Sequence, residues 1–329
     1  MPTAMSHIRR VTSYKGVSER YTRKKKARWT WLSAAVFSLL VAGCIHIPEE
    51  SWIISHRSPL ETKRQISDCT GAGLNRSILQ QAGVDPTMLP QTVGAPEVNS
   101  DGFSFVSWNI YKGKKEGWGE DFHIISRNTD IFILQEAYLS GSLKEVLQQE
   151  EYQWDMAAAF KYRHIDTGVL TASRIAPNYI CTFRETEPIT RIPKSVLITR
   201  YPMSGTDQEL LVANIHAINF TLGNTTFQNQ SDRLENYLAA HQGPIIVSGD
   251  FNTWNSGRMS LVQAMAERLG LTAVRFDKKM RSQFFGHYVD HVYYRGLETK
   301  NAATPLVTSS DHNPLTVVFK LADKSASGL

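Results

Sequence analysis

The residues of this chain able to do chemistry are acids, carboxamides and histidines set at the ends of apolar runs. Asn109 closes FSFVSWN, and Gln135-Glu136 closes IFILQE. Asn214 and His216 stand two apart in NIH, and Asp250 and Asn252 two apart in GDFN, so each pair shares one face of an extended chain. Asp290 opens DHVYY, and Asp311-His312 lies in SSDHNP just before the last apolar run. Carboxylates suit a hard cation, and a carboxylate beside an imidazole favours its charged form and fixes its tautomer. Gathered at one rim of a sheet, such a set makes a site for a divalent cation and an anionic substrate. Other chemistries are excluded. Ser310-Asp311-His312 are adjacent, cannot converge as a triad does, and have no G-x-S-x-G elbow. GKKEGWG (113–119) lacks the G-K-[ST] ending of a phosphate-cradling loop and reads as an exposed turn. His291 faces away from Asp290 and reads as structural.

The elements that must position these residues are strands. Apolar runs of strand length recur at 103–108, 131–134, 196–201, 209–215, 244–249, 289–294 and 315–319, several of them apolar on both faces. Between them, Leu234, Tyr237, Leu238 and His241 fall at helical spacing before Gly243-Pro244. Val262, Met265, Ala266 and Leu269 repeat that spacing, with Gly270 as a C-cap. Many strands with a few long helices predict one layered α/β domain whose sheets pack together.

The ordered set resembles the endonuclease/exonuclease/phosphatase superfamily, which includes DNase I-like enzymes. The resemblance covers about residues 103–320, and VSWNIYK, NIHAINF, SGDFNTW and SSDHNPL are similar to an uncharacterised bacterial branch of it. It implies a four-layer α-β-β-α sandwich of two packed mixed sheets over 102–322, and metal-dependent hydrolysis of a phosphate ester by an activated water. Glu136 is then the direct ligand of Mg²⁺ (Mn²⁺ being the alternative ion), with Asn109 and Asp311 completing or orienting its shell. Asp250 with Asn252 positions and deprotonates the water. His312, paired to Asp290, contacts the phosphate or acts as base, and His216 protonates the leaving oxygen or binds the phosphate. Some members pair the counterpart of His216 with a glutamate, for which Glu185 and Glu187 are the candidates here. A phosphoester-binding module of the same fold without catalysis is the alternative. The substrate expected is a phosphoester of a lipid headgroup or a nucleic acid, and the chain is read as a monomer with no protein partner.

The chain has 329 residues and a formal net charge of +5, with 42% hydrophobic and 20% charged residues, which excludes a disordered or collagen-like chain. The basic excess is local. Residues 1–28 hold nine of the 36 basic residues and one of the 31 acids, so the remainder is at −3 and implies no general nucleic-acid face. The uncharged run WTWLSAAVFSLLVAGCIHI (29–47) follows those charges and is expected to attach the chain to a membrane, with the basic residues in the cytoplasm and the body outside. Val41-Ala42-Gly43-Cys44 also resembles a lipoprotein signal ending at Cys44. A cytoplasmic body is the alternative. Prolines and glycines over 48–101 predict a linker with one short helix near Leu74–Ala82. Cys69 and Cys181 lack zinc-ligand spacing and read as two free thiols, which would pair only in an exported body.

Overall fold

The structure is a computed structural model that describes residues 45–57, 59–66, 69, 96–221 and 223–323. The basic segment 1–28, the apolar run up to Cys44 and the expected helix at 74–82 lie outside the described residues. The end of that run, Ile45–His46, is extended. No helix among the described residues is long and apolar enough to cross a membrane.

Two mixed sheets carry the body. The larger is built from β1 (Ser51–Arg57), β2 (Leu60–Ile66), β3 (Phe103–Asn109), β4 (Ile131–Tyr138), β5 (Gln153–Tyr162) and β6 (Ile165–Ser173), with β15 (Leu297–Ala303) and β16 (Leu315–Leu321) at its other side. Its strands run in the order β15-β16-β3-β4-β6-β5-β1-β2. The smaller combines β7 (Tyr179–Thr186), β8 (Pro193–Pro202), β9 (Glu209–His216), β10 (Ile245–Asp250), β11 (Thr272–Ala273) and β14 (Asp290–Arg295), in the order β11-β14-β10-β9-β8-β7. The short strands β12 (Gln283–Phe284) and β13 (His287–Tyr288) form a separate hairpin.

Alternation along each strand explains the layering. In β3, Phe103 and Phe105 join the apolar layer between the sheets, whereas Val106 and Trp108 face the other way. In β9, Leu210 and Val212 enter that central layer while Leu211, Ala213 and Ile215 do not. The outer faces are covered by helices. Phe122 of α1 (Trp118–Ser126) and Leu143 and Leu147 of α2 (Gly141–Gln149) pack on the larger sheet. Phe227, Leu234 and Leu238 of α3 (Thr225–Ala239) and Val262 and Met265 of α4 (Ser256–Arg268) pack on the smaller. The protein is therefore a mixed α/β fold of two packed sheets with helices outside, each buried aliphatic or phenyl side chain contributing about 1.5–3 kcal/mol. Both helices predicted from spacing are present. Asn255 caps α4 by accepting from the Arg258 N–H at 2.9 Å, and Gly270 ends it at a φ of 64°.

Two expectations are corrected. Within the supposed linker, β1 and β2 form a hairpin that extends the larger sheet, Ile53 pairing with Ala157 of β5. A buried Asp155 holds it, accepting from Ser55 Oγ at 2.6 Å and from the Arg57 guanidinium at 2.7 Å. The outer strand β2 reads LETKRQI, charged enough to discourage pairing with another chain, and that composition hid it as a strand. Cys69 and Cys181 are not free thiols but a disulfide, with Cα atoms 5.3 Å apart. It ties the chain just beyond β2 to β7 of the opposite sheet, a proximity no sequence spacing reveals.

The bridge spans 112 residues of sequence. Closing so long a loop restricts the unfolded chain strongly, so the Cys69→Ser/Cys181→Ser double variant should lose ~2–5 kcal/mol in urea unfolding. An unchanged midpoint would show that the bond adds nothing to the folded state.

Candidate active site

Strand register brings the polar residues to one rim. The parallel pair β3–β4 aligns Asn109 with Gln135, and the parallel pair β9–β10 aligns His216 with Asp250. Antiparallel pairing of β10 with β14 then sets Asp250 opposite Asp290. The loop entering β16 adds Ser310–His312, held by Ser310 Oγ donating to the Asn109 carbonyl at 2.7 Å and by the Trp108 indole donating to the His312 carbonyl at 2.8 Å.

Contacts across the gap join the two rims. Gln135 Nε2 donates to Asn214 Oδ1 at 2.8 Å, and Asn214 Nδ2 donates to the carbonyls of Leu170 and Leu134. Both carboxamides are fully buried. Gln135 and Asn214 are thus structural fasteners. Asn109 Nδ2 donates to Asp250 Oδ2 at 3.1 Å, while its Oδ1 accepts from the Tyr111 N–H. The amide predicted as a metal ligand is engaged in holding Asp250.

Asp250 is the centre of the set. Its Oδ1 accepts from the Asn252 N–H at 3.0 Å, and Asn252 Nδ2 donates to the Ala217 carbonyl at 2.9 Å. Burial pushes the Asp250 carboxyl up to about 6, against the pull of His312. Gly249 precedes it at a φ of 141°, where a Cβ would lie 2.0 Å from the Ile215 carbonyl oxygen. His312 Nδ1 and Asp290 Oδ2 are 2.7 Å apart. Burial alone would lower the His312 pKa, but Asp290 and the neighbouring Asp250 and Asp311 carry it up to about 10, so the ring is an imidazolium at neutral pH. Ligand atoms of Asp250, Asp290 and His312 all lie within 4.8 Å of one another. Asp311 itself is exposed, with Ser310 Oγ 3.4 Å from its Oδ1.

Glu136 occupies the other side. It sits at an irregularity where β4 slips against β6 between Leu134 and Ala137, and its φ is 51°. Burial would raise its carboxyl, yet neighbouring positive charge, Lys112 foremost, brings it down to about 2. Lys112 forms an ion pair with it. Lys112, Tyr111 and Asn252 also have positive φ, so four of the nine side-chain-bearing residues with positive φ among the described residues lie at this rim. Such backbone costs of order 1 kcal/mol each and persists where surrounding packing imposes it.

His216 meets neither of the glutamates considered for it. Glu187 is buried and accepts from the Asn219 N–H at 2.8 Å and from Thr190, bracing a loop. His216 Nε2 instead lies 2.9 Å from Lys194 Nζ and 3.6 Å from Asp250 Oδ2. Burial and then Lys194 hold the ring neutral, well below its ordinary pKa. His291 is structural, its Nε2 within 2.7 Å of Thr253 Oγ1, and burial lowers it to about 3.

Lys112, Lys194 and Arg258 were not among the residues predicted for the site. Buried Arg258 donates to the carbonyls of Ile218, Asn219 and Asn252 and so knits together the loops after β9 and β10. Lys112 stood inside VSWNIYK and was open to discovery there. Lys194 and Arg258 carry no sequence signal, because each reaches the rim through tertiary contact alone.

Residues 106–312 match the Endonuclease/Exonuclease/phosphatase family. The UPF0294 protein of Vibrio cholerae is 37% identical over 239 residues, covering 72% of this chain and 85% of that protein. Among solved structures, the human Nocturnin catalytic domain with bound sulfate superposes with a TM-score of 0.53 at 16% identity, covering 69% of this chain and 97% of the domain. ANGEL2, a 2′,3′-cyclic phosphatase in complex with adenosine-2′,3′-vanadate, gives a TM-score of 0.51 at 14% identity, covering 69% and 97%. These likenesses show a shared fold.

The His312 pKa is raised in the folded protein, from 6.5 to about 10. Its contribution to stability should be complete below pH 6.5 and fade as pH rises toward about 10. Unfolding free energies of wild type and Asp290→Asn should accordingly differ most near pH 6 and converge toward pH 10. A constant difference would place the Asp290 contribution elsewhere. Gly249→Ala should disorder the rim, costing several kcal/mol of stability because backbone must move to admit the methyl group.

Proposed function

Because the chain belongs to the Endonuclease/Exonuclease/phosphatase family, a family of phosphoester hydrolases, we propose that it hydrolyses a phosphate ester with the help of a divalent cation, Mg²⁺ or alternatively Mn²⁺. The observation that carries this reading is the convergence of Asp250, Asp290 and His312 within 4.8 Å. The residues fit a hard cation. Glu136 is held ionised and follows Gln135, which aligns with Asn109, whose amide holds Asp250, and a carboxylate with retained waters matches what Mg²⁺ accepts. Glu136 would hold the ion, Asp311 would complete its shell, and Asn109 would act through Asp250. Once bound, the cation neutralises phosphate charge and polarises the phosphoryl oxygens.

The chain's own groups divide the remaining work. Asp250, with a pKa of about 6, is ionised at neutral pH yet basic enough to take a proton from an attacking water. Asn109 and Asn252 aim its two oxygens, leaving lone pairs for that water. The His312 imidazolium, fixed by Asp290, presents a positive N–H to a phosphoryl oxygen and is too firmly protonated to serve as base.

The body is proposed to work outside the cytoplasm, attached through residues 29–47. The disulfide between Cys69 and Cys181 supports an oxidising location. Lipid headgroups or extracytoplasmic nucleic acids are then the phosphoesters within reach.

Asp250→Asn should reduce turnover by ~10²–10⁴-fold without loss of fold, the span expected of a general base. Chelator should abolish activity and Mg²⁺ restore it. The rate should rise with pH as Asp250 loses its proton near 6 and decline as His312 loses its own near 10. Purified protein that binds phosphoesters without turning over any of a metal-supplemented panel of duplex DNA, RNA, sphingomyelin, phosphatidylinositol phosphates and simple monoesters would favour the binding-module alternative.

A further inference from the structure

The hydrolysis reading leaves one requirement unmet, a proton for the ester oxygen that departs. His216 was the sequence candidate, but its geometry opposes that role. An ammonium group has three donors and no acceptor, so in the 2.9 Å contact with Lys194 the His216 Nε2 must accept. A neutral ring that accepts at Nε2 carries its proton on Nδ1, and Nε2 has none to give.

We propose that Lys194 is the catalytic residue that binds the substrate phosphate and protonates the departing oxygen, and that His216 is a positioning residue which aims it. One Lys194 N–H is engaged with His216, and two remain. Two other cations at the rim have their own roles. Lys112 is ion-paired with Glu136, and His312, fixed through Nδ1 by Asp290 in the cluster that contains Asp250, offers its remaining N–H to a phosphoryl oxygen. His216 Nε2, which Lys194 touches, is itself 3.6 Å from Asp250 Oδ2, so the ammonium stands beside the carboxylate that would activate water, and its charge acts on both Asp250 and Glu136. Lys194 lies on β8 beside β9, so a buried imidazole on the neighbouring strand steadies an otherwise flexible side chain. Where a glutamate partner would favour an imidazolium at this position, a lysine partner transfers the acidic proton to itself.

In the step, the water oxygen bonds to phosphorus as the ester P–O bond breaks, and the electron pair of that bond stays on the departing oxygen. That oxygen takes a proton from the Lys194 ammonium while the water gives one to Asp250. Asp250 later returns its proton to solvent, and the amine regains one from it.

The inference rests on the hydrolysis reading, and a leaving-group comparison separates the two. Full-length wild type, Lys194→Met and Lys194→Arg are assayed on bis(4-nitrophenyl) phosphate, whose leaving group needs no proton, and on dithymidine phosphate, whose alkoxide does. Lys194→Met should lose ~10²–10³-fold on dithymidine phosphate but under ~10-fold on the nitrophenyl ester. Lys194→Arg, which keeps the charge but holds its proton too tightly, should retain binding of inorganic phosphate while remaining slow on dithymidine phosphate. Equal losses on both esters, or an arginine variant as fast as wild type on dithymidine phosphate, overturn the proposal. The arginine result decides if the methionine variant fails to fold. Absence of turnover by wild type on either ester would defeat the hydrolysis reading and the proton-transfer step together. Phosphate titration then tests the remaining binding role, with Lys194→Met expected to weaken affinity tenfold or more, and equal affinities in the two proteins removing Lys194 from the site.

Discussion

The site exists only because two sheets keep their rims aligned, and the contact that enforces this is a carboxamide pair in the layer between them. Gln135 and Asn214 are fully buried, one from each sheet, and joined at 2.8 Å. Apolar packing is nearly indifferent to a small slide of one sheet over the other, since ~25 cal/mol per Å² is recovered in many registers. A buried amide is not indifferent, because an unmet donor or acceptor there costs about 1–3 kcal/mol. Asn214 adds bonds to the carbonyls of Leu134 and Leu170, so a slide would break three bonds at once. With that alignment held, Glu136 follows Gln135 on one rim and His216 follows Asn214 by two residues on the other.

Charge is then partitioned by depth and partner. Asp250 is pushed up by burial, whereas Glu136 is pulled down by neighbouring cations, Lys112 foremost, so two carboxyls of similar intrinsic acidity end about four units apart. His312 and His216 diverge in the same way, one raised by Asp290 and the other lowered by burial and Lys194. Like groups with unlike neighbours give one rim the different charge states that the proposed base, cation ligand and phosphate contact require at a single pH.

The rim residues were legible in the sequence because each stands beside one end of an apolar run, and the alternation that buries Phe105 or Val212 makes those runs visible. Asp250, Asn252, Asp290 and His312 needed only strand order to converge. Asn109 was legible as a rim residue but not as the group that holds Asp250, since an amide's partner is settled by three-dimensional placement. The hairpin at 51–66 escaped because β2 is an edge strand whose side chains are mostly charged, and the pairing of Cys69 with Cys181 escaped because it joins opposite sheets. Lys194 escaped for a related reason. A lysine at the start of a strand is ordinarily a solvated charge, and only the neighbouring strand turns it inward.

Part of the strained backbone falls where chemistry is proposed. Tyr111, Lys112, Glu136 and Asn252 bear side chains yet take positive φ, and all lie on the loops or strand ends that form the rim. Glu136 sits at the β4 slip, and straightening that strand would move its carboxylate to the opposite face. Asn252 turns so that its N–H reaches Asp250 and its amide reaches Ala217, with Arg258 clamping its carbonyl from behind. The strain is offset by the packing of the layers beneath it, the helices on one side and the second sheet on the other. The rigidity of the sandwich and the unusual backbone at its rim are therefore one arrangement, since relaxing the rim would require unpacking the layers beneath it.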